Sequence, residues 1–303
     1  MFENYKINDD FDNTRLDKWL RKEIIDIPQS LIEKLIRKNK IKVNGKKTKS
    51  SYRIKKGDLI EFTNIKQIQV KKKENKKILY KSSNKEKKSY GNFIIEDNEN
   101  FLVINKPAGI AVQSGTKSFK NIIDIYKDTT FFNNTKPYIV HRIDKETSGI
   151  LIIAKNRKFA QLFTSLFRIR KIHKTYIALT FGQIKGDTRT LQDELVYYEN
   201  NKKTKLKAIS HLKVLKSNES YTYVELKPIT GRKHQLRKQL LNIGNPIVGD
   251  NKYFLPNFKN TKNKHLMLHA HKIKFMINNI KYSFQARYNN NFEEFLKKTF
   301  KSY

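Results

Sequence analysis

The sequence predicts an α+β protein in two parts, a small helix-and-hairpin module followed by a larger domain in which strand and helix patterns alternate. Three observations lead there. At 303 residues the chain exceeds one typical domain. Residues 66–88 hold ten lysines against Glu74 and Glu86, a net charge of +8 with few apolar anchors, which reads as a solvated spacer. On either side of that stretch the apolar residues repeat at helical or at strand spacing. The expected boundaries are a module at 13–65, a lysine-rich linker at 66–89 and the larger domain at 90–303.

Within the module the pattern runs RLDKWLRKEI, QSLIEKLIRKN, IKVNGKKT and IKKGDLIEF. The first two segments space their apolar residues helically, with Leu16, Trp19 and Leu20 on one stripe and Leu31, Ile32, Leu35 and Ile36 on another. The last two read as short strands, with Asn44-Gly45 and Gly57-Asp58 as their turns. Arg37, Lys38, Lys40 and Lys42 cluster where the second helix hands over to the strand, a compact patch suited to phosphates.

In the larger domain FLVINK, GILIIAK, KTYIALTFG and YTYVELKPI read as strands, and residues 157–169 and 232–243 as helices. Phe159, Leu162, Phe163, Leu166 and Phe167 form a stripe that belongs to a core rather than to a stacking platform. No internal repeat is present.

The charge is extreme: 64 Lys and Arg against 28 Asp and Glu leave +36, so the expected partner is a polyanion, nucleic acid before membrane. Only 12 of the 64 basic residues are arginine, and the chain is rich in Asn and Ile, a bias that an AT-rich coding sequence produces by itself. Placement therefore matters more than the total. Arg142, Arg232 and Arg237 all fall in the chemistry-bearing segments, where a planar fork matches phosphate or carboxylate.

Several classes are excluded. With no cysteine there is no disulfide, thiolate metal site or cysteine nucleophile, and a cytoplasmic setting is expected. The stretch MFENYKINDDFD carries four acidic residues and no apolar signal core, and no apolar run approaches membrane-spanning length. His265, His269 and His271 lack an acidic or thiol partner and the HExxH spacing, so they read as structural and no metal is expected. Neither a Walker motif nor Gly-x-Gly-x-x-Gly appears, so nucleotide hydrolysis and dinucleotide binding lack support and no cofactor is required.

One carboxylate stands out. In HRIDKETSGILI, residues 141–152, Asp144 lies in a turn between a basic pair and an aliphatic run too short for a helix, typical of a strand buried on both faces. Thr147, Ser148 and Gly149 read as a connection that aims side chains rigidly. In the helix after Thr230, Leu236, Leu240 and Ile243 form the apolar stripe, and Arg237 lies about 100° from Leu236, on the flank of the buried face. In KTYIALTF, period-two alternation sends Ile177, Leu179 and Phe181 to one face and Lys174, Tyr176 and Ala178 to the other.

The module resembles the αL RNA-binding motif shared with small-subunit ribosomal protein four, through RLDxxL, KVNG and the final GDxI. It departs from that family at Leu31, where an arginine commonly follows the serine, and near Asn39 and Lys40, where a glycine is often found. HRIDKETSG, FLVINKPAGIAVQSG, KTYIALTFG and TGRKHQLRKQLLNIGNPIVGDNKYF, with the N-terminal module, closely resemble the RluA-type pseudouridine synthases over nearly the whole chain. The resemblance points to the RluC/RluD-like branch, which modifies large-subunit ribosomal RNA; QSLIEKLIRKNKIKVN and AVQSGTKSF look most like RluC.

That resemblance implies the pseudouridine synthase fold, with a mixed, mostly antiparallel sheet, and a monomer needing no cofactor. It also implies isomerisation of a flipped-out uridine: uracil is detached from C1′, turned and rejoined through C5. Asp144 would be the nucleophile, ionised although partly desolvated, with Arg237 favouring that charged form. Tyr176 would stack on the uracil and assist proton removal. Arg142 would contact a phosphate or fill the space left by the flipped nucleotide, and Leu268 would wall the pocket. Arg37, Lys38 and Lys40 would contact RNA from the module. Two rivals remain at this stage. A nucleosidase or glycoside hydrolase would need a second carboxylate, for which Glu146 is the near neighbour. A non-catalytic ribosome-assembly factor would need only the charge.

Overall fold

The helical stripes and turn residues of the N-terminal segment assemble as their spacing requires. The computed structural model describes residues 3–8, 11–24, 28–63, 80, 82–114, 120–132, 135–199, 202–258 and 265–300. Two units emerge, at 1–78 and 79–303. The first contains β1 (Glu3–Lys6), β2 (Thr14–Arg15), α1 (Leu16–Trp19), α2 (Gln29–Arg37), β3 (Ile41–Val43), β4 (Arg53–Ile54) and β5 (Leu59–Phe62). After α1 the helix widens into one looser turn over Leu20–Ile24. Leu16, Trp19, Leu20, Ile32, Leu35 and Ile36 bury against Ile41, Ile60 and Phe62 of the β1-β5-β3 sheet, while Leu31 stays at the edge.

The two turns hold each other. Asn44 Nδ2 donates to Asp58 Oδ1 at 2.8 Å, and Asn44 Oδ1 accepts from Leu59 N at 2.8 Å. Asn39 takes φ 56°, the left-handed conformation that ends a helix. Asparagine tolerates that region, as glycine does.

Part of the expected linker is helical, which corrects the reading of 66–89 as a free spacer. Ser83 Oγ accepts from Glu86 N at 3.2 Å, and this capped start opens α3 (Asn84–Gly91). Tyr80 Oη donates to Glu86, whose carboxylate also pairs with Lys120. Residues 64–79 and 81 lie outside the described residues.

The second unit continues with β6 (Ile94–Asp97), β7 (Phe101–Lys106), α4 (Ile122–Tyr126), β8 (Tyr138–Ile139), β9 (Ser148–Ala154), α5 (Arg157–Arg168) and β10 (His173–Phe181). Then follow β11 (Thr188–Glu199), β12 (Lys202–Ser217), β13 (Tyr221–Pro228), α6 (Gln235–Asn242), β14 (Leu268–Ile277), β15 (Ile280–Gln285) and α7 (Asn290–Thr299). The strands form one sheet in the order β11-β12-β13-β10-β14-β9-β7-β6, with β15 beside β14 and β8 beside β9. Every pairing is antiparallel except β14 with β9, which meet through only two residue pairs, His269 with Ser148 and Ala270 with Gly149. The fold is therefore the α+β arrangement with a mixed, mostly antiparallel sheet that the sequence implied.

All of β9 is buried, as its aliphatic run requires. Leu151 and Ile153 pack with Tyr126 of α4 on one face, and Ile150 and Ile152 pack with Phe163 of α5 on the other. Each such side chain contributes about 1.5–3 kcal/mol through burial. Ser148 and Gly149, expected in the connection, already belong to this strand. Gly149 is required where it is: its φ is 109°, and an added Cβ would press into the backbone amide and carbonyl of Ala270 on β14.

Gly149→Ala is expected to cost more than Gly109→Ala, whose φ of 85° is similarly restrictive but whose added Cβ would meet nothing within 4 Å. Gly109→Ala reports the backbone cost alone, about 1–2 kcal/mol, and Gly149→Ala should exceed it by a further ~1–3 kcal/mol of overpacking. Urea unfolding midpoints of both variants check the difference, and equal losses would contradict the close approach.

Candidate active site

The loop between β8 and β9 is pinned from three directions before its carboxylate is considered. His141 Nε2 accepts from Ile152 N at 2.9 Å, and its ring stacks on Phe167 with centroids 4.7 Å apart. Burial first, and Lys174 second, push the His141 pKa down to about 3, so the ring is a neutral acceptor. Asp144 O accepts from Thr147 N at 3.2 Å, closing the turn. Lys106, fully buried at the end of β7, donates from Nζ to the carbonyls of Pro107, Ile110 and Lys145 at 2.8, 2.9 and 3.1 Å. Its three donors are thereby matched to three acceptors, one of them the residue after Asp144. Desolvation lowers the Lys106 pKa to about 7 against the opposing pull of Glu146 and Asp144.

Arg237 reaches the loop from α6. That helix begins at Gln235 and not at residue 232 as expected, because His234 adopts φ 53° and breaks the helical path. Gln235 Oε1 accepts from Arg232 N at 3.0 Å and Thr230 Oγ1 at 2.7 Å, while its Nε2 donates to Ile209 O at 3.1 Å and Ser210 Oγ at 2.9 Å. Gln239 bonds to Ser210, Leu191 O and Asp193, so buried amides tie α6 to the β11–β12 hairpin.

The expected pairing of Arg237 with Asp144 is present but loose, at 3.4 Å from Nη1 to Oδ2. The tight partner is Asp250. Arg237 Nε and Nη2 donate to its two oxygens at 2.7 and 2.6 Å, and Asp250 Oδ1 also accepts from Lys252 N and Tyr253 N, each at 2.9 Å. The Asp250 carboxylate is fully buried and the Arg237 side chain nearly so. Two ends of the guanidinium are thus fixed and the third is left to face Asp144.

His234 stands on the other side of the carboxylate, with Nε2 3.7 Å from Asp144 Oδ1 and Nδ1 2.8 Å from Tyr253 Oη. Burial, then Arg237, Lys252 and Lys233, lower its pKa, against a raising contribution from Asp144. The Tyr253 ring lies 5.0 Å from the Arg237 guanidinium carbon. Tyr176, on β10, is partly buried, and that burial with a smaller push from Asp144 holds its phenol well above the usual range and protonated.

Asp144, Tyr176, Arg237, Arg142 and Leu268 all line one cavity of about 450 Å³. Among the described residues that line it, Asp144 is the one carboxylate. Arg37, Lys38 and Lys40 lie in the first unit, at the end of α2 and just beyond it, with Arg37 and Lys38 exposed. Sequence reasoning missed Asp250, His234, Tyr253 and Lys106. The signal was present in the segments already singled out: His234 precedes Gln235, Gly249-Asp250 closes the same segment, and Lys106 opens KPAG. The described residues hold no group of three or more His, Cys, Asp or Glu side chains arranged to bind a metal, and none of their helices is long and apolar enough to cross a membrane.

A sheet with a carboxylate at its seam, preceded by a small helix-and-hairpin unit, defines an RNA-modifying enzyme: residues 100–242 match the RNA pseudouridylate synthase family and residues 14–60 match the S4 domain. Two curated relatives are the ribosomal large subunit pseudouridine synthase C of Buchnera aphidicola subsp. Schizaphis graminum, 35% identical over 89% of this chain and 88% of its own, and that of Rickettsia felis, 35% identical over 86% and 88%. The human RNA pseudouridylate synthase domain containing 4 superposes with a TM-score of 0.59 at 25% identity, covering 70% of this chain and 94% of its own. The chain belongs to the RNA pseudouridylate synthase family and is an RNA pseudouridine synthase.

Two measurements test the geometry. Asp250→Ala leaves a buried guanidinium without its partner and is expected to cost about 3–5 kcal/mol in urea unfolding; a loss below ~1 kcal/mol would deny the pair its role. His141 and His269 are held neutral by burial, with pKa about 3 and about 4, whereas an unfolded imidazole binds its proton near 6.5. The unfolded state therefore takes up more protons below pH 6.5, and stability present above that pH drains away as the pH falls toward 4. His141→Gln should flatten the slope of stability in that window by about one proton, ~1.4 kcal/mol per pH unit, and an unchanged slope would contradict a neutral buried ring.

Proposed function

We propose that this enzyme converts uridines of large-subunit ribosomal RNA to pseudouridine, with Asp144 as the nucleophile. The observation that carries the reading is the placing of Asp144 as the one carboxylate among the described cavity residues, faced by Arg237 and sharing the cavity with Tyr176. Attack of Asp144 on C1′ breaks the bond to N1. The freed uracil turns, its C5 attacks C1′, and the carboxylate leaves. The C5 proton is then lost and N1 gains one, so the product has the mass of the substrate.

Each neighbour has a use in that sequence. Arg237 stabilises Asp144 as an anion before attack and after departure. Tyr176 stacks on the base; its phenol, kept protonated by burial, can donate a hydrogen bond, and assisting removal of the C5 proton requires that it first pass on its own. His234, bonded through Nδ1 to Tyr253 Oη, sets Nε2 3.7 Å from the second Asp144 oxygen, and the tautomer protonated on Nε2 suits that carboxylate. Glycoside-type hydrolysis uses two carboxylates flanking the bond, and Asp250 is committed to Arg237. The ribosomal substrate rests on the names of the relatives, and the S4-matching unit supplies a further RNA contact through Arg37, Lys38 and Lys40.

Asp144→Asn is isosteric and should bind unmodified large-subunit ribosomal RNA with affinity close to that of the parent while forming no pseudouridine in a base-resolved map. Wild-type levels of product from this variant would sink the assignment, and free uracil among the products would point to hydrolysis instead.

A further inference from the structure

The catalytic cavity is walled by far more positive charge than its chemistry uses. Arg142, Arg168, Arg170, Lys174, Arg232 and Arg237 line it, against Asp144 alone. Arg237 is engaged by Asp250 and Asp144, and Arg232 Nε donates to Lys207 O at 3.2 Å. The side chains of Arg168, Arg170 and Lys174 have no hydrogen bond or ion pair among the described residues.

These three come from one stretch of chain. From the last residue of α5 into β10, residues 168, 170, 172, 174 and 176 line the cavity while 169, 171, 173 and 175 do not. Arg168 ends the helix and Arg170 sits in the left-handed turn that closes it; from His173 the chain is extended and presents Lys174 and Tyr176 to the cavity, about 6.6 Å apart, on the scale of a nucleotide step in an unstacked strand. Exposure falls along the same line, from exposed Arg168 and Arg170 to partly buried Lys174 and Tyr176 beside Asp144. The stretch thus leads from solvent to the reacting carboxylate with a cation at three of its five inward positions.

One local feature has no structural return. Lys174 carries its ammonium into the wall without an anion beside it, and burial is the cause that lowers its pKa. That penalty is offset if an anionic ligand lies against the wall. Arg170 takes φ 60° to close α5, with Arg170 N and Lys171 N donating to Phe167 O and Leu166 O, and this turn brings its side chain to the same wall.

We propose that the connection from α5 to β10 is a phosphate track for the substrate strand, in which Lys174 holds a phosphodiester next to the target nucleotide and Arg170 and Arg168 hold those further along the strand. The proposal rests on the reading of this cavity as the uridine site and names the contacts that position the strand there. Phosphate contacts fix register without reading sequence, which suits a wall made of charge and bare of base-edge acceptors.

The test uses the full chain carrying Asp144→Asn, so that binding is measured without turnover, on unmodified large-subunit ribosomal RNA over about 50–200 mM salt. Lys174→Gln and Arg170→Gln should each lower the slope of log Kd against log salt by about 0.7, one single-strand phosphate contact. Lys174→Arg should retain the slope. Lys297→Gln, an exposed residue of α7 outside the cavity, removes the same charge and should leave the slope unchanged. With Asp144 restored, Lys174→Gln should raise KM about tenfold while kcat stays within about twofold, the split expected when uniform binding is lost.

Slopes for Lys174→Gln and Arg170→Gln matching that of Lys297→Gln would overturn the track. Arg170 is exposed in a turn, so its variant keeps the question open to refutation even if Lys174→Gln fails to fold. Loss of slope in a protein that makes no pseudouridine would fault the proposed reaction and leave the track standing; product formation with unaltered slopes would do the reverse.

Discussion

The buried, two-pronged pair between Arg237 and Asp250 is the constraint on which the site depends. A guanidinium offers its donors in a rigid plane, so fixing Nε and Nη2 on one carboxylate determines where Nη1 must point. Asp250 is itself fixed by the amides of Lys252 and Tyr253, and α6 by the buried amides of Gln235 and Gln239. The orientation of one cation is therefore set by a chain of satisfied bonds running through β11, β12 and the loop before β14. A lysine at position 237 would supply the charge without the plane.

The carboxylate is positioned by different means. Where Arg237 is held by ions, the Asp144 loop is held largely by backbone groups that find buried partners: the carbonyl of Lys145 on Lys106 and the amide of Ile152 on His141. Leaving such groups unpaired in the interior would be costly. The two walls of the cavity thus meet with independent supports, and the 3.4 Å between Asp144 and Arg237 is the outcome of both.

How much of this was legible in the sequence depends on the range of the interaction. The strand at Ser148–Ala154 and the stripes of α2 and α5 could be read because periodicity is local and burial follows it. Asp144, Tyr176 and Arg237 could be singled out because each sits in a compact segment whose neighbours constrain it. Asp250 could not be paired with Arg237 by pattern, since thirteen residues and a change of direction separate them. The β11–β12 hairpin escaped because its inward positions include Ala208 and Ser210, which carry little hydrophobic signal, and that face is completed by Gln239 of α6. Ser83 and Glu86 were lost within a lysine-rich stretch whose overall charge outweighed a four-residue capping signal.

The parallel seam between β9 and β14 has one more implication. Only two residue pairs join the strands there, and Asp144 hangs from one side while Tyr176 and Arg237 hang from the other. These cavity-lining groups therefore belong to separate halves of a twisted sheet, like teeth on opposing jaws. A substitution at that joint, where Gly149 lies against Ala270, therefore acts on the spacing of the three groups without touching any of them.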